Sequence, residues 1–377
     1  MRRLRVDADG RVRLAGETKA PGDLLGVLDD FLERECSAGR TVIGALAYDL
    51  GRCIEPRASR RAPAALPLIA LDSYSTVLHF DHCRGRGSSP PPDVDAASRG
   101  GCSVGALRAV TDPATYGRLF DRAREWIAAG DIYQVNLSIA FEAELSGDPA
   151  VLYERLASRN PVPYGAYLDC GDFQLLSNSP ELFLERRGSR IATRPIKGTR
   201  PRGASCAADA RLSEELLRDP KERAEHVMIV DLERSDLGRI AEVGSVHVDE
   251  FAALVSYPTL HHMESTVVAQ LPSGIRFSDM LRATFPGGSI TGAPKIRAMQ
   301  ILEELEAQSR GFYTGAILYF PPDGDFTMNL AIRTAIVSEG RVRYSAGGGL
   351  VYDSVAEREY RECLLKAQAF VAAVKHP

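Results

Sequence analysis

Strand-like stretches in this chain come in runs, and long helix-like stretches stand between the runs. One strand per helix, in regular alternation, would build a parallel sheet. This chain lacks that alternation, which directs it to an α+β fold with antiparallel sheets. Apolar periodicity marks strands at 41–48, 76–80, 135–145, 164–169, 174–177, 182–185, 312–320, 326–337 and 341–346. It marks helices at 24–32, 116–129, 220–237, 294–310 and 355–374.

The 377 residues exceed one small core, and 45% are apolar, so a large interior can be buried. Residues 84–101 read RGRGSSPPPDVDAASRGG, with Gly, Ser, Pro and charge but no apolar period. They divide the chain into a short N-terminal lobe (1–83), a flexible linker (84–105) and a large domain (106–377). A net charge of −4 gives no electrostatic reason for a nucleic-acid or membrane partner. No apolar run approaches the roughly 18 residues that a membrane-spanning helix needs. The start turns acidic at Asp7 and Asp9, where a signal peptide would turn apolar. The seven cysteines are odd in number and hold no Cys-x-x-Cys pair. A disulfide framework or structural zinc site is therefore not expected, and a reducing cytoplasm is.

Two helices carry paired glutamates. Asp219-Pro220 suits a helix start, and Glu222 and Glu225 then share a face. Ser354 and Glu357 have capping-box spacing, and Glu359, Glu362 and Lys366 follow on one face. If the two faces meet, four carboxylates surround a site suited to Mg²⁺, a hard cation that takes oxygen ligands directly and through water. A Glu-x-x-Glu spacing is also what a solvated helix face looks like.

The segment Gly287-Gly288-Ser289-Ile290-Thr291-Gly292-Ala293-Pro294-Lys295 fails as a phosphate loop, because Ala293 follows the last glycine where Lys belongs. It reads as a tight turn into a helix, whose free N–H groups could also face a carboxylate. Gly347, Gly348 and Gly349 end a strand where a ligand could approach the backbone closely. In the 329–336 stretch, Leu330, Ile332 and Ile336 point one way and Arg333 the other. Arg333 then lies on a wet face or clamps an anion.

In this order the segments resemble the chorismate-binding family, which contains component I of anthranilate synthase and of aminodeoxychorismate synthase, and the isochorismate and salicylate synthases. The matching text is GDIYQVNLS (130–138), SPELFLE (179–185), TRPIKGTRPRG (193–203), DPKERAEHVMIVDLERSDLGRI (219–240), SYPTLHHMEST (256–266), FPGGSITGAPKIRAMQILEELE (285–306), RGFYTGAILYF (310–320), NLAIRT (329–334) and AGGGLVYDSVAEREYRECLLKA (346–367). The resemblance implies two large antiparallel sheets packed face to face with helices outside. It implies Glu225 and Glu362 as direct Mg²⁺ ligands, with Glu222 and Glu359 acting through water. Arg333 and Tyr319 would hold one chorismate carboxylate, helped by the backbone of Gly347, Gly348 and Gly349. Thr199 and Lys366 would line the pocket, His262 would stand near C4 of the ring, and Glu181 would protonate the departing C4 hydroxyl.

Two positions discriminate within the family. Where isochorismate and salicylate synthases carry a lysine base, this chain has Gln134, which cannot take a proton. Where anthranilate synthases carry alanine, this chain has Lys197, as aminodeoxychorismate synthases do. There the lysine amine adds at C2 and expels the C4 hydroxyl, and ammonia then adds at C4 and expels the lysine. Ser235 replaces a usual Asn, and Leu318 a usual Gly, which would crowd a pocket at Tyr319. None of the cysteines sits in a Gly-x-Cys-x-Gly elbow, so ammonia is expected free or from a separate glutaminase subunit. The expected role is amination of chorismate for 4-aminobenzoate and folate. Anthranilate synthesis, with Lys197 incidental, is the alternative within the family, and a non-catalytic subunit that docks the glutaminase is the alternative outside it.

Overall fold

The computed structural model describes residues 2–14, 17–19, 22–58, 65–81, 86–87, 100–258 and 260–375. Among these residues twelve strands form one sheet and eight form another, with antiparallel pairing. The sheets pack face to face. Ala45, Ala70 and Ile317 of the larger sheet meet Phe173, Leu175 and Ile336 of the smaller one. Strand alternation produces this sandwich. In Ala316–Phe320, Ile317 points to the other sheet, whereas Ala316, Leu318 and Phe320 point to the helices outside.

Helices Leu24–Ser37 and Phe277–Thr284 cover the larger sheet. Helices Pro113–Ala128, Pro149–Arg159, Lys295–Leu305 and Ala356–Lys375 cover the smaller one. One buried cation ties the layers together near their shared end. The Arg310 guanidinium donates to Glu306 at 2.8 Å, to the Ile290 carbonyl at 2.9 Å and to the Asn136 carbonyl. Removing one partner from a buried pair of this kind costs about 3–5 kcal/mol, because the other charge is stranded.

The described part of the first 83 residues does not form a lobe of its own. Thr41–Leu46 pairs with Ala316–Phe320, and Ile69–Tyr74 and Arg2–Val6 extend the same large sheet beyond it. Of the expected linker, residues 84–85 and 88–99 lie outside the described residues, and Cys102–Val104 already pairs with the long strand Gln134–Gly147. The strand expected at 76–80 is instead Ile69–Tyr74. It is covered on both faces, so it lacks the alternation that signals a half-exposed strand. The stretch 326–337 is two strands, Phe326–Leu330 in the larger sheet and Thr334–Ser338 in the smaller. Between them the chain crosses from sheet to sheet, with Arg333 at a positive φ of 50°.

Candidate active site

The helix Pro220–Gly238 starts as its sequence predicts. Asp219 Oδ1 accepts from the N–H groups of Lys221 at 3.0 Å and Glu222 at 3.1 Å. The capping box expected at Ser354 and Glu357 does not form. The Ser354 hydroxyl instead accepts the Val351 N–H at 3.1 Å. Ser354 thus closes the turn before the helix and lies beside Glu359, whose carboxyl it draws downward against the rise from burial.

The two glutamate faces meet across a cavity of about 480 Å³. Glu181, Lys197, Thr199, Glu222, Glu225, His262, Arg333, Gly347, Gly349, Glu359, Glu362 and Lys366 all border it. Both sheets contribute, and the two helices form its wall.

The four helix glutamates are not equivalent. Arg200 Nη1 lies 3.0 Å from Glu222, and Lys366 Nζ lies 2.7 Å from Glu362. Lys366 holds the Glu362 carboxyl below the usual carboxylate range. Burial pushes Glu225 and Glu359 upward instead. These two share one cation, since Lys221 Nζ is 3.6 Å from Glu225 and 4.0 Å from Glu359. Among the described residues no three of His, Cys, Asp or Glu converge on one point as a ready metal site. The donor chemistry nevertheless fits Mg²⁺, which commonly takes one or two carboxylates and completes its shell with water and substrate. Lys221 stands between Glu225 and Glu359, where positive charge is favoured, and the four glutamates all face the same cavity, so the direct pair Glu225 and Glu362 that the resemblance implies is compatible with this wall.

Lys197 reaches the cavity through a break in its strand. Ile196–Pro201 pairs with Leu260–Gln270, and the register shifts between Lys197 and Thr199. Gly198 makes the shift at φ +76°, where an added Cβ would also meet Leu216 at 2.8 Å. Burial lowers the Lys197 pKa, although Glu225, Glu181 and Glu362 pull it back toward the ammonium form.

Glu181 is buried nearby. Burial raises its carboxyl to about 7, against the opposing pull of a 2.9 Å hydrogen bond from Ser289 Oγ and of the Lys197 charge. Ser289 belongs to the glycine-rich segment, so that segment borders the cavity by its turn and not by a helix start. Its lysine, Lys295, points away and pairs with the buried Asp236.

His262 is neutral. Its Nδ1 lies 3.1 Å from the Gly198 carbonyl, which can only accept, so Nδ1 carries the proton. Nε2 is then free to accept from Arg333 Nη2 at 3.3 Å, and Thr199 Oγ1 lies 3.1 Å from Nδ1. Burial and the Arg333 charge lower the imidazole pKa to about 3. With its proton on a backbone carbonyl, His262 is placed to orient Arg333.

The glycine strand is used unevenly. A Cβ at Gly349 would lie 3.1 Å from Gln134 Nε2 and 3.3 Å from Lys197 Nζ, so glycine leaves the room this corner needs. A Cβ at Gly348 would instead face Glu359 Oε2 at 3.3 Å. Gly347 supplies its carbonyl to Lys366 Nζ at 2.9 Å. Gln134 is fully buried behind Gly349, outside the cavity lining, and both its amide atoms lack a hydrogen-bond partner among the described residues.

Tyr319 is not at the site. It lies next to His79, with ring centroids 6.4 Å apart, away from the cavity lining. Leu318 packs in the helix-side core, so it crowds no pocket. The tyrosines that border the cavity are Tyr313 and Tyr344. Tyr313 stands six residues earlier in the same matched segment, and strand alternation cannot choose it because it precedes the strand. Asn136, Arg200, Lys221 and Ser289 also border the cavity and were not singled out by sequence. Arg200 could have been found, since it follows Thr199 directly in the segment that carries Lys197.

Comparison with known proteins matches residues 5–372 to the family described as chorismate binding enzyme. The chain is 45% identical over 260 residues to aminodeoxychorismate synthase component 1 of Bacillus subtilis (strain 168), covering 69% of this chain and about half (55%) of that relative. It is 41% identical over 358 residues to anthranilate synthase component 1 of Thermus thermophilus, covering 89% of this chain and 77% of the relative. The crystal structure of anthranilate synthase component I from Streptococcus pneumoniae TIGR4 superposes with a TM-score of 0.86 at 30% identity, over 98% of this chain and 90% of that one.

Proposed function

The chain belongs to the chorismate-binding enzymes, and from that premise we propose that it makes 4-amino-4-deoxychorismate from chorismate and ammonia. The observation that carries this reading is Lys197, a half-buried lysine facing a cavity that also holds the buried acid Glu181, with its pKa lowered by desolvation. A neutral lysine amine is a nucleophile, and a protonated carboxyl beside it is an acid. Lys197 Nζ adds at C2 as the Glu181 proton goes to the C4 hydroxyl, which leaves as water. Ammonia then adds at C4, and the bond between C2 and Lys197 breaks to restore the amine.

Arg333, oriented by His262, and Lys366 supply positive charge for the substrate carboxylates. Glu225 and Glu362 would hold Mg²⁺ directly, with Glu222 and Glu359 through water, and the bound ion would neutralise a chorismate carboxylate. Ammonia would come from a separate glutaminase subunit, and the product would lead to 4-aminobenzoate. Among the described residues no helix is long and apolar enough to cross a membrane.

Purified chain with chorismate, Mg²⁺ and an ammonium salt is expected to give the C4-amino product. Glutamine in place of ammonium is expected to give none until a glutaminase subunit is added. Anthranilate as the main product would replace this reading with the anthranilate synthase one, which similar relatives also carry in their names. No turnover of chorismate at all would leave a non-catalytic subunit.

Glu225→Gln tests the metal assignment. It removes one charge from the pair that shares Lys221. Its kcat/KM is expected to fall about 100-fold, equivalent to about 2.7 kcal/mol. Mg²⁺ binding by calorimetry is expected to weaken while the unfolding midpoint stays in place. Unaltered Mg²⁺ affinity would remove Glu225 from the site.

A further inference from the structure

The cavity mouth carries cations that the reaction itself does not use. Arg358 and Arg361 border the cavity and are exposed. They stand three residues apart in the first two turns of Ala356–Lys375, on a stripe beside the one that carries Glu359 and Glu362. Neither side chain makes an ion pair or hydrogen bond among the described residues. That is unusual in this region, where Arg200 is paired with Asp219 and Glu222, and Lys366 with Glu362. The helix start adds its own partial positive charge to theirs.

Charge arithmetic shows why a rim of this sign matters. Arg200 offsets Glu222 and Lys366 offsets Glu362, which leaves Glu225 and Glu359 sharing Lys221. Before a divalent cation is bound, as in the test below, an incoming dicarboxylate would therefore meet a wall with excess negative charge on its way to Arg333. We infer that Arg358 and Arg361 are the capture rim of this enzyme, attracting the dianionic substrate past the glutamate wall and handing it inward to Lys366 and Arg333. The inference rests on chorismate as the substrate but not on which ring carbon is aminated. Unpaired guanidiniums over a cleft act through their field, so they raise the local concentration of an anion without touching the reacting atoms.

The test is chorismate binding to the Mg²⁺-free full-length chain without ammonium, so that no turnover intervenes, at several salt concentrations. In the double variant Arg358→Gln, Arg361→Gln the dissociation constant is expected to rise about 10-fold near 0.01 M salt, where the screening length is about 30 Å. The gap should close toward 1 M salt, where that length is about 3 Å. With ammonium and Mg²⁺, kcat at saturating chorismate should be unchanged. Arg358→Lys with Arg361→Lys should bind like wild type, because only charge is used. Equal binding by wild type and the Gln variant at every salt concentration overturns the inference, as does a gap that persists undiminished at 1 M. A Gln variant that binds chorismate normally but loses only glutaminase-supported turnover would mean that the arginines serve a protein partner instead. Failure of wild type to bind chorismate at all would sink the substrate reading itself, a result distinct from these.

Discussion

Lys197→Ala is expected to abolish C4 amination, with kcat down by about three orders of magnitude or more, equivalent to roughly 4 kcal/mol. The loss should fall on kcat and spare chorismate affinity, because the C–N bond to lysine exists only during reaction. Wild-type protein given chorismate and Mg²⁺ without ammonia should accumulate an adduct with the mass of chorismate less one water. The adduct should map to the peptide containing Pro195-Ile196-Lys197-Gly198-Thr199 and be absent from the variant. The substitution also vacates the corner where Gly349, Gln134 and Lys197 Nζ crowd together, so ammonia gains access to C2 and a trace of anthranilate-type product is expected. Wild-type C4 amination rates in Lys197→Ala would end the covalent mechanism. They would also end the main reason for choosing C4 amination over C2 amination, since the relatives named above include both kinds of enzyme.

The fold class was legible because strand runs without helix alternation leave few architectures. The site was legible where one residue type had one chemical use. Paired glutamates on two helices, a lysine beside glycine and threonine, and two glycines of a triplet all came to one cavity. What sequence could not supply was the path of the backbone between strands. Arg333 reaches the site because the chain changes sheets at a positive φ, and no period in Asn329–Ile336 reports that. The same limit put Tyr319 at the site in place of Tyr313. One lies in the strand and one in the turn before it, and only the three-dimensional course separates them. Strands exposed along much of their length, such as His247–Ser256 with its two register shifts, carry no clean alternation to detect. The pairing of each glutamate with a particular cation is likewise set by tertiary contact. Spacing alone gave four equal carboxylates, whereas two are neutralised by Arg200 and Lys366 and two are left to share Lys221.

Glu181→Gln is expected to lower kcat by about 10³-fold, within the range for loss of a positioned acid, and to change the shape of the pH profile as well as its height. The acid works only when protonated, and the amine works only when neutral. Burial raises the Glu181 carboxyl to about 7, and burial lowers the Lys197 amine from its ordinary range. The reactive enzyme therefore holds one proton between these two groups. With both protonated, at low pH, the amine cannot attack. With both deprotonated, at high pH, the hydroxyl leaves without help. The wild-type profile of kcat is expected to be bell-shaped, with its two limbs belonging to the pair and not to either residue. Glutamine at 181 keeps the size of the side chain and removes its titration. One ionisation then remains, that of Lys197, and the rate should rise with pH to a plateau with no alkaline fall. The plateau should lie far below the wild-type maximum, because the C4 hydroxyl must now depart without a proton from the protein. The two neighbours of Glu181 bear on the limbs in a known sense. The hydrogen bond from Ser289 stabilises the carboxylate, so Ser289→Ala should move the Glu181 ionisation upward. A Glu181→Gln variant that retained the bell and most of its height would remove Glu181 from proton transfer and leave its burial beside Lys197 without a catalytic explanation.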